Sequence, residues 1–201
     1  MKFSNLGKFT TSFFIGVDIE NTYFLELFHL LNEYIKNNKL EEIIELQNLL
    51  SLHITLCYFD KEYVLKNVDI IIEDIALFNK TKLQIQIGNI EYFNNSTGYL
   101  SIVNKSDLEH INSELWNKYS ANRVLENRYS YIPHITIFKV KNKEVFKRHI
   151  EKVNEIIQDF LLTISGMSIY NEVYLYAVNS KFTPELQLIV PPGRCNEKLK
   201  E

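Results

Sequence analysis

Two segments of this chain are near copies of each other: residues 52–59 (LHITLCYF) and residues 133–140 (PHITIFKV). Their His-Ile-Thr cores begin at His53 and His134, 81 positions apart in a chain of 201 residues. Both segments are rich in β-branched and aromatic residues, so both read as strands. Residues i and i+2 of a strand share a face, roughly 7 Å apart. Ile54, Leu56, Ile135 and Ile137 claim one face for a core. His53 with Thr55, and His134 with Thr136, are thereby forced onto the opposite face. The same alternation puts Cys57 and Phe138 beside them. Five histidines and nine threonines in 201 residues would give fewer than one such triplet by chance. Two triplets, each inside an apolar strand, are not accidental.

The copies sit in a repeated order of elements. A strand at 12–18 is followed by a helix from Asn21 or Thr22 to about 37, and by a second helical piece over 40–50. The strand at 52–59 leads through Asp60, a helix N-cap, into a helix ending near 78, and then a strand over 83–93. The second half gives a strand at 99–103, a helix over 106–119, the strand at 132–140, a helix over 143–160 and a strand over 161–169. A closing pair is expected at 173–178 and 186–190. Strand, helix, strand, helix, strand thus occurs twice, over about 10–93 and 97–170. That pattern predicts an α+β fold of two small sheets related by a pseudo-twofold axis. With four prolines and six glycines, no linker stands out, so residues 1–201 read as a single domain with a polar tail at 193–201.

Composition narrows the partners. Lys plus Arg number 22 and Asp plus Glu 25, a formal charge of −3 without a basic stripe. Long duplex nucleic acid is a poor partner for such a surface; a small nucleotide or one RNA end is not. Cys57 and Cys195 read as free thiols of a reducing compartment. No apolar run reaches the roughly 18 residues of a bilayer span, and the N-terminal apolar patch soon meets Asp18. The expectation is a cytoplasmic monomer without membrane contact.

Two imidazoles facing each other suit acid–base chemistry. A neutral imidazole takes a proton from water or a ribose hydroxyl, and a protonated one gives a proton to a leaving oxygen. Hydroxyls of Thr55 and Thr136 are placed to hydrogen-bond the non-bridging oxygens of a phosphate. The pattern points to metal-free phosphoester cleavage or transfer. Phe138 offers a base-stacking surface or a packing contact at the groove edge. Tyr129 and Tyr131, with Arg123 and Arg128, lie in the segment leading into the second motif, where aromatic and cationic groups suit a nucleotide. His29, His110 and His149 fall on helices, with neither zinc-site spacing nor a Gly-rich phosphate loop nearby, so no cofactor is expected.

LHITL and PHITI resemble the paired H-x-T motifs of the 2H phosphoesterase superfamily. That group includes bacterial LigT-like RNA 2′,3′-cyclic phosphodiesterases (2′-5′ RNA ligases), 2′-5′-oligoadenylate phosphodiesterases, and phage or viral enzymes that cut cyclic-nucleotide messengers. SFFIGVDI resembles the family's first strand, and NEVYLYAVNS followed by ELQLIV its closing hairpin. The resemblance implies a bilobed fold lining a central groove, with helices outside and no metal. It carries catalytic roles to His53 and His134 and phosphate-binding roles to Thr55 and Thr136. The implied activity is hydrolysis of a nucleotide phosphodiester: a 2′,3′-cyclic RNA end, a 2′-5′ oligonucleotide or a cyclic messenger. The alternatives are a non-catalytic module that sequesters a nucleotide or RNA end, and a 2′-5′ RNA ligase running the same proton transfers in reverse. LigT-like members often carry basic residues on both sides of the second motif; here Ile132 precedes Pro133, and Lys139 is the nearest cation afterwards.

Overall fold

The computed structural model describes residues 10–80, 83–119, 130–165 and 169–179. Strand β1 (Thr10–Asp18) leads through a 3-10 turn at Asn21–Phe24 into α1 (Leu25–Asn37). Strands β2 (Ile44–Leu46) and β3 (His53–Phe59) flank a second 3-10 turn at Leu49–Ser51. Helix α2 (Lys61–Phe78) precedes β4 (Leu83–Ile85), β5 (Ile87–Phe93) and β6 (Thr97–Ile102). The chain continues with α3 (Ser106–Tyr119), β7 (His134–Val140), α4 (Lys143–Phe146), α5 (Ile150–Thr163), β8 (Ile169–Asn171) and β9 (Val173–Asn179).

The result is an α+β fold of antiparallel sheets. One sheet has the order β3-β1-β9, the other β2-β7-β6-β5, and β4 pairs with β8. The two motif strands fall in different sheets yet lie against each other. Helix α2 packs on β1 and β9, α3 on β3, and α5 on β5 and α1. Each helix presents an apolar stripe at helical spacing, as with Leu108, Ile111, Leu115 and Tyr119 of α3. Asp60 does cap α2, accepting from the Glu62 and Tyr63 amides.

The duplicated halves exchange strands. β4 and β5 are runs of three and seven residues separated by one residue, and β8 and β9 repeat that design. β5 crosses to the sheet of the second motif and β9 to the sheet of the first. Repeat boundaries of 10–93 and 97–170 therefore do not coincide with the sheets. Two expected elements differ as well. Residues 40–50 are not a second helix: Ile44–Leu46 instead pairs with Val140–Phe138 along the open side of β7. Its short apolar run satisfies either periodicity, and the unpaired strand edge decides the outcome. Residues 161–163 continue α5 rather than starting a strand. The expected strand at 186–190 and the tail at 193–201 lie outside the described residues.

Candidate active site

Both motif strands carry the same interruption. Along β3, Thr55 pairs with Gly16 and Cys57 with Ile15, so Leu56 is an extra residue. Along β7, Thr136 pairs with Tyr99 and Phe138 with Gly98, leaving Ile137 extra. These are β-bulges at equivalent positions, and each inverts the alternation that follows it. The freed carbonyls are met from elsewhere: Asn112 of α3 donates to Leu56 O at 2.7 Å, and the Gln47 amide to Ile137 O at 2.7 Å. Glycine stands opposite each bulge because there is no room for a side chain there. A Cβ at Gly16 would lie 2.9 Å from Ile54 O, and one at Gly98 would run into the Phe138 ring.

The bulges correct the sequence reading of Phe138. It is 0% exposed and sits in the main core against Tyr92 and Phe146, so it cannot stack on a base. Cys57 is buried in the same core. Tyr58 and Lys139 take their places on the histidine face, opposite Phe14 and Thr97. Strict period-2 reading misses both; the glycines opposite the motif strands are the only trace of the bulge in the sequence.

The two imidazoles are held alike. His53 Nδ1–H donates to the Ser51 carbonyl at 2.7 Å, and His134 Nδ1–H to the Ile132 carbonyl at 2.7 Å. A carbonyl only accepts, so Nδ1 carries the proton in each neutral ring and Nε2 keeps a free lone pair. Ser51 is the buried residue of the 3-10 turn capped by Asn48. The following Pro133 disfavours a helical backbone at Ile132. Around each ring stands a stacked Phe–Tyr pair. Phe14 and Tyr176, 4.7 Å apart, lie 4.6 and 5.9 Å from His53. Phe93 and Tyr99, 4.0 Å apart, lie 4.9 and 5.2 Å from His134. Each tyrosine hydroxyl meets a carboxylate, Tyr176 to Asp18 at 3.4 Å and Tyr99 to Glu91 at 2.9 Å. Burial, with Glu91 adding to it, pushes the Tyr99 phenol up to about 12. None of these four aromatic residues was singled out by sequence reasoning; they become neighbours of the histidines only through strand pairing.

Burial is the main cause that lowers both imidazoles below their ordinary range, and the carbonyl bonds oppose it. At His53 a charge on His134 lowers it further, so the rings are electrostatically coupled. Thr55 and Thr136 are half-buried on the same face as the histidines. Tyr131 lies beside this face but spends its hydroxyl on the Thr55 carbonyl, at 3.1 Å. Tyr129 lies outside the described residues. Among the described residues no three His, Cys, Asp or Glu side chains are grouped to hold a metal ion, and no helix is long and apolar enough to cross a membrane.

Paired H-x-T strands on two abutting antiparallel sheets are the framework of the 2H phosphoesterases. The family model for the 2′-5′ RNA ligase superfamily matches residues 41–173, about two thirds of the chain, and the chain belongs to that superfamily. No curated protein matches it. Among solved structures, Escherichia coli LigT complexed with 3′-AMP is 13% identical, covering 84% of this chain and 88% of its own, with a TM-score of 0.48. A structure described as a phosphoesterase is 14% identical, covering 83% of this chain and 88% of its own, with a TM-score of 0.49. The MHV ns2 PDE domain is 17% identical, covering 84% of this chain and 99% of its own, with a TM-score of 0.44.

Proposed function

We propose that this protein is a phosphodiesterase that hydrolyses a small nucleotide substrate, a 2′,3′-cyclic phosphate or a 2′-5′ linkage, by acid–base catalysis from His53 and His134. The observation that carries this reading is the matched pair of imidazoles. Each has its Nδ1–H tied to the carbonyl two residues earlier, each neutral ring keeps its lone pair on Nε2, and the charge of one is felt by the other. Binding alone needs no such pair.

His53 is the deeper ring and the one lowered by its partner's charge, which favours the neutral form there. We assign it the base and His134 the acid. His53 Nε2 takes a proton from water as the water oxygen bonds to phosphorus. The bond from phosphorus to one ribose oxygen breaks, and His134 Nε2–H protonates that oxygen. Thr55 and Thr136 hydroxyls donate to the non-bridging oxygens, where negative charge gathers. Tyr58 gives a surface for a nucleobase, and the Lys139 ammonium gives a counter-charge for phosphate.

The test is incubation with 2′,3′-cyclic mononucleotides, 2′-5′ oligoadenylate and cyclic dinucleotides, with products identified by chromatography. His53→Ala and His134→Ala are each expected to lose about 10²–10⁴-fold in turnover, while EDTA leaves the wild-type rate unchanged. Absence of turnover on the whole panel, or abolition by EDTA, overturns the reading. Joining of a 2′,3′-cyclic end to a 5′-hydroxyl end would identify the ligase direction instead.

A further inference from the structure

We infer that Tyr131 is a positioning residue, a clasp that fixes the distance between the two H-x-T strands, rather than a substrate contact. The inference rests on the acid–base reading of His53 and His134 given above.

Among the described residues β3 stands at the edge of its sheet. An edge leaves carbonyls that β1 cannot reach, and these need partners. Two are met by residues from the other half of the chain: Leu56 O by Asn112, and Thr55 O by the Tyr131 hydroxyl at 3.1 Å. The second of these falls within the catalytic motif itself. Tyr131 stands 76 positions from Thr55 in sequence but only three from His134. Its immediate neighbour, Ile132, supplies the carbonyl that holds His134 Nδ1–H. One short segment therefore grips the first motif strand at residue 131 and orients the second imidazole at residue 132. The following Pro133 is buried and fixes the backbone between grip and ring. The Tyr131 ring packs against the main core, so the hydroxyl has little freedom to swing away. Burial, with Glu109 adding to it, raises the phenol above its ordinary range, which keeps it a proton donor.

A groove-facing nucleotide contact would leave the hydroxyl available to a ligand; this one is already spent on backbone. Deleting it frees the Thr55 carbonyl and lets the motif strands drift apart. Both consequences fall on the transition state, where two Nε2 atoms must reach one phosphorus. A misplacement of order 1 Å is enough to cost about 10²-fold in rate.

Tyr131→Phe keeps the ring and its packing and removes one oxygen. The steady-state probe is 2′,3′-cyclic AMP, and the second readout is NMR titration of the His53 and His134 ring protons in the free protein. The clasp predicts a five- to twentyfold lower kcat, a KM within twofold of wild type, and an upward shift of the His53 midpoint as the coupling to His134 weakens. A raised KM with kcat held would make Tyr131 a substrate contact and overturn the inference. Unchanged kcat together with unchanged titration of both rings would also overturn it. If the wild type does not turn over 2′,3′-cyclic AMP, the hydrolytic reading fails for that substrate, and the titration still decides the clasp: an unmoved His53 midpoint rejects it.

Discussion

The two motif strands share a burial pattern residue for residue, yet they sit in unlike surroundings. β7 is an interior strand, hydrogen-bonded to β2 on one side and β6 on the other. Among the described residues β3 has β1 on one side and takes side-chain partners on the other. Beyond the bulge, the first strand buries the small Cys57 and exposes Tyr58, whereas the second buries Phe138 and exposes Lys139. Identical local sequence thus delivers the same local geometry to both histidines, while the non-identical residues around them give the two rings unlike surroundings. One half offers an aromatic surface and a deeper ring; the other offers a cation and a more open ring.

The comparison is broken most forcefully at the histidines. His53→Gln and His134→Gln should each cost about 10²–10⁴-fold in kcat/KM but remove opposite limbs of a bell-shaped pH profile. Loss of the acidic limb in His53→Gln and of the basic limb in His134→Gln supports the assigned roles, and the reverse pattern exchanges them. Next in size is the core position after each bulge. Phe138→Ala should destabilise the fold by about 3–5 kcal/mol, Cys57→Ala by far less, and neither should change KM. Urea denaturation with parallel kinetics checks this; a raised KM in Phe138→Ala would return that ring to the groove.

Thr55→Val and Thr136→Val remove one hydroxyl each at constant shape. A loss of about 10²–10³-fold in kcat is the measured scale for a strong oxyanion donor, and a Thr exposed to solvent on one side should fall at or below its lower end. Equal losses would mean that the phosphate sits midway between the strands, and unequal losses that it leans toward one. The smallest effect concerns pH and stability. Both imidazoles are lowered in the folded chain, so below about 6.5 the unfolded chain binds the extra protons. Stability is then full above that value and is lost as pH falls toward the folded-state values. Calorimetric Tm should decline between pH 7 and pH 5, and His53→Gln should flatten that decline more than His134→Gln does.

Much of the framework was readable from local pattern. The H-x-T strands, Asp60 as the α2 cap, and the spans of α2 and α3 follow from alternation, helical spacing and one side-chain oxygen, all properties of neighbours in sequence. Local alternation does not encode the bulges, because a bulge depends on the partner strand, and so it puts Phe138 on the wrong face. β2 reads as helix for the same reason: three residues have no strong preference until an open edge is placed beside them.

The sequence by itself determined that two imidazoles and two hydroxyls each stand on the polar face of an apolar strand, since burying four isoleucines and leucines leaves no other choice. Only the tertiary structure decided that the two motif strands lie against each other, that Phe14, Tyr176, Phe93 and Tyr99 flank the rings, and that Tyr131 ties one motif to the other. Those are contacts between residues tens to more than a hundred positions apart. They are fixed by strand pairing and packing, which no local periodicity encodes.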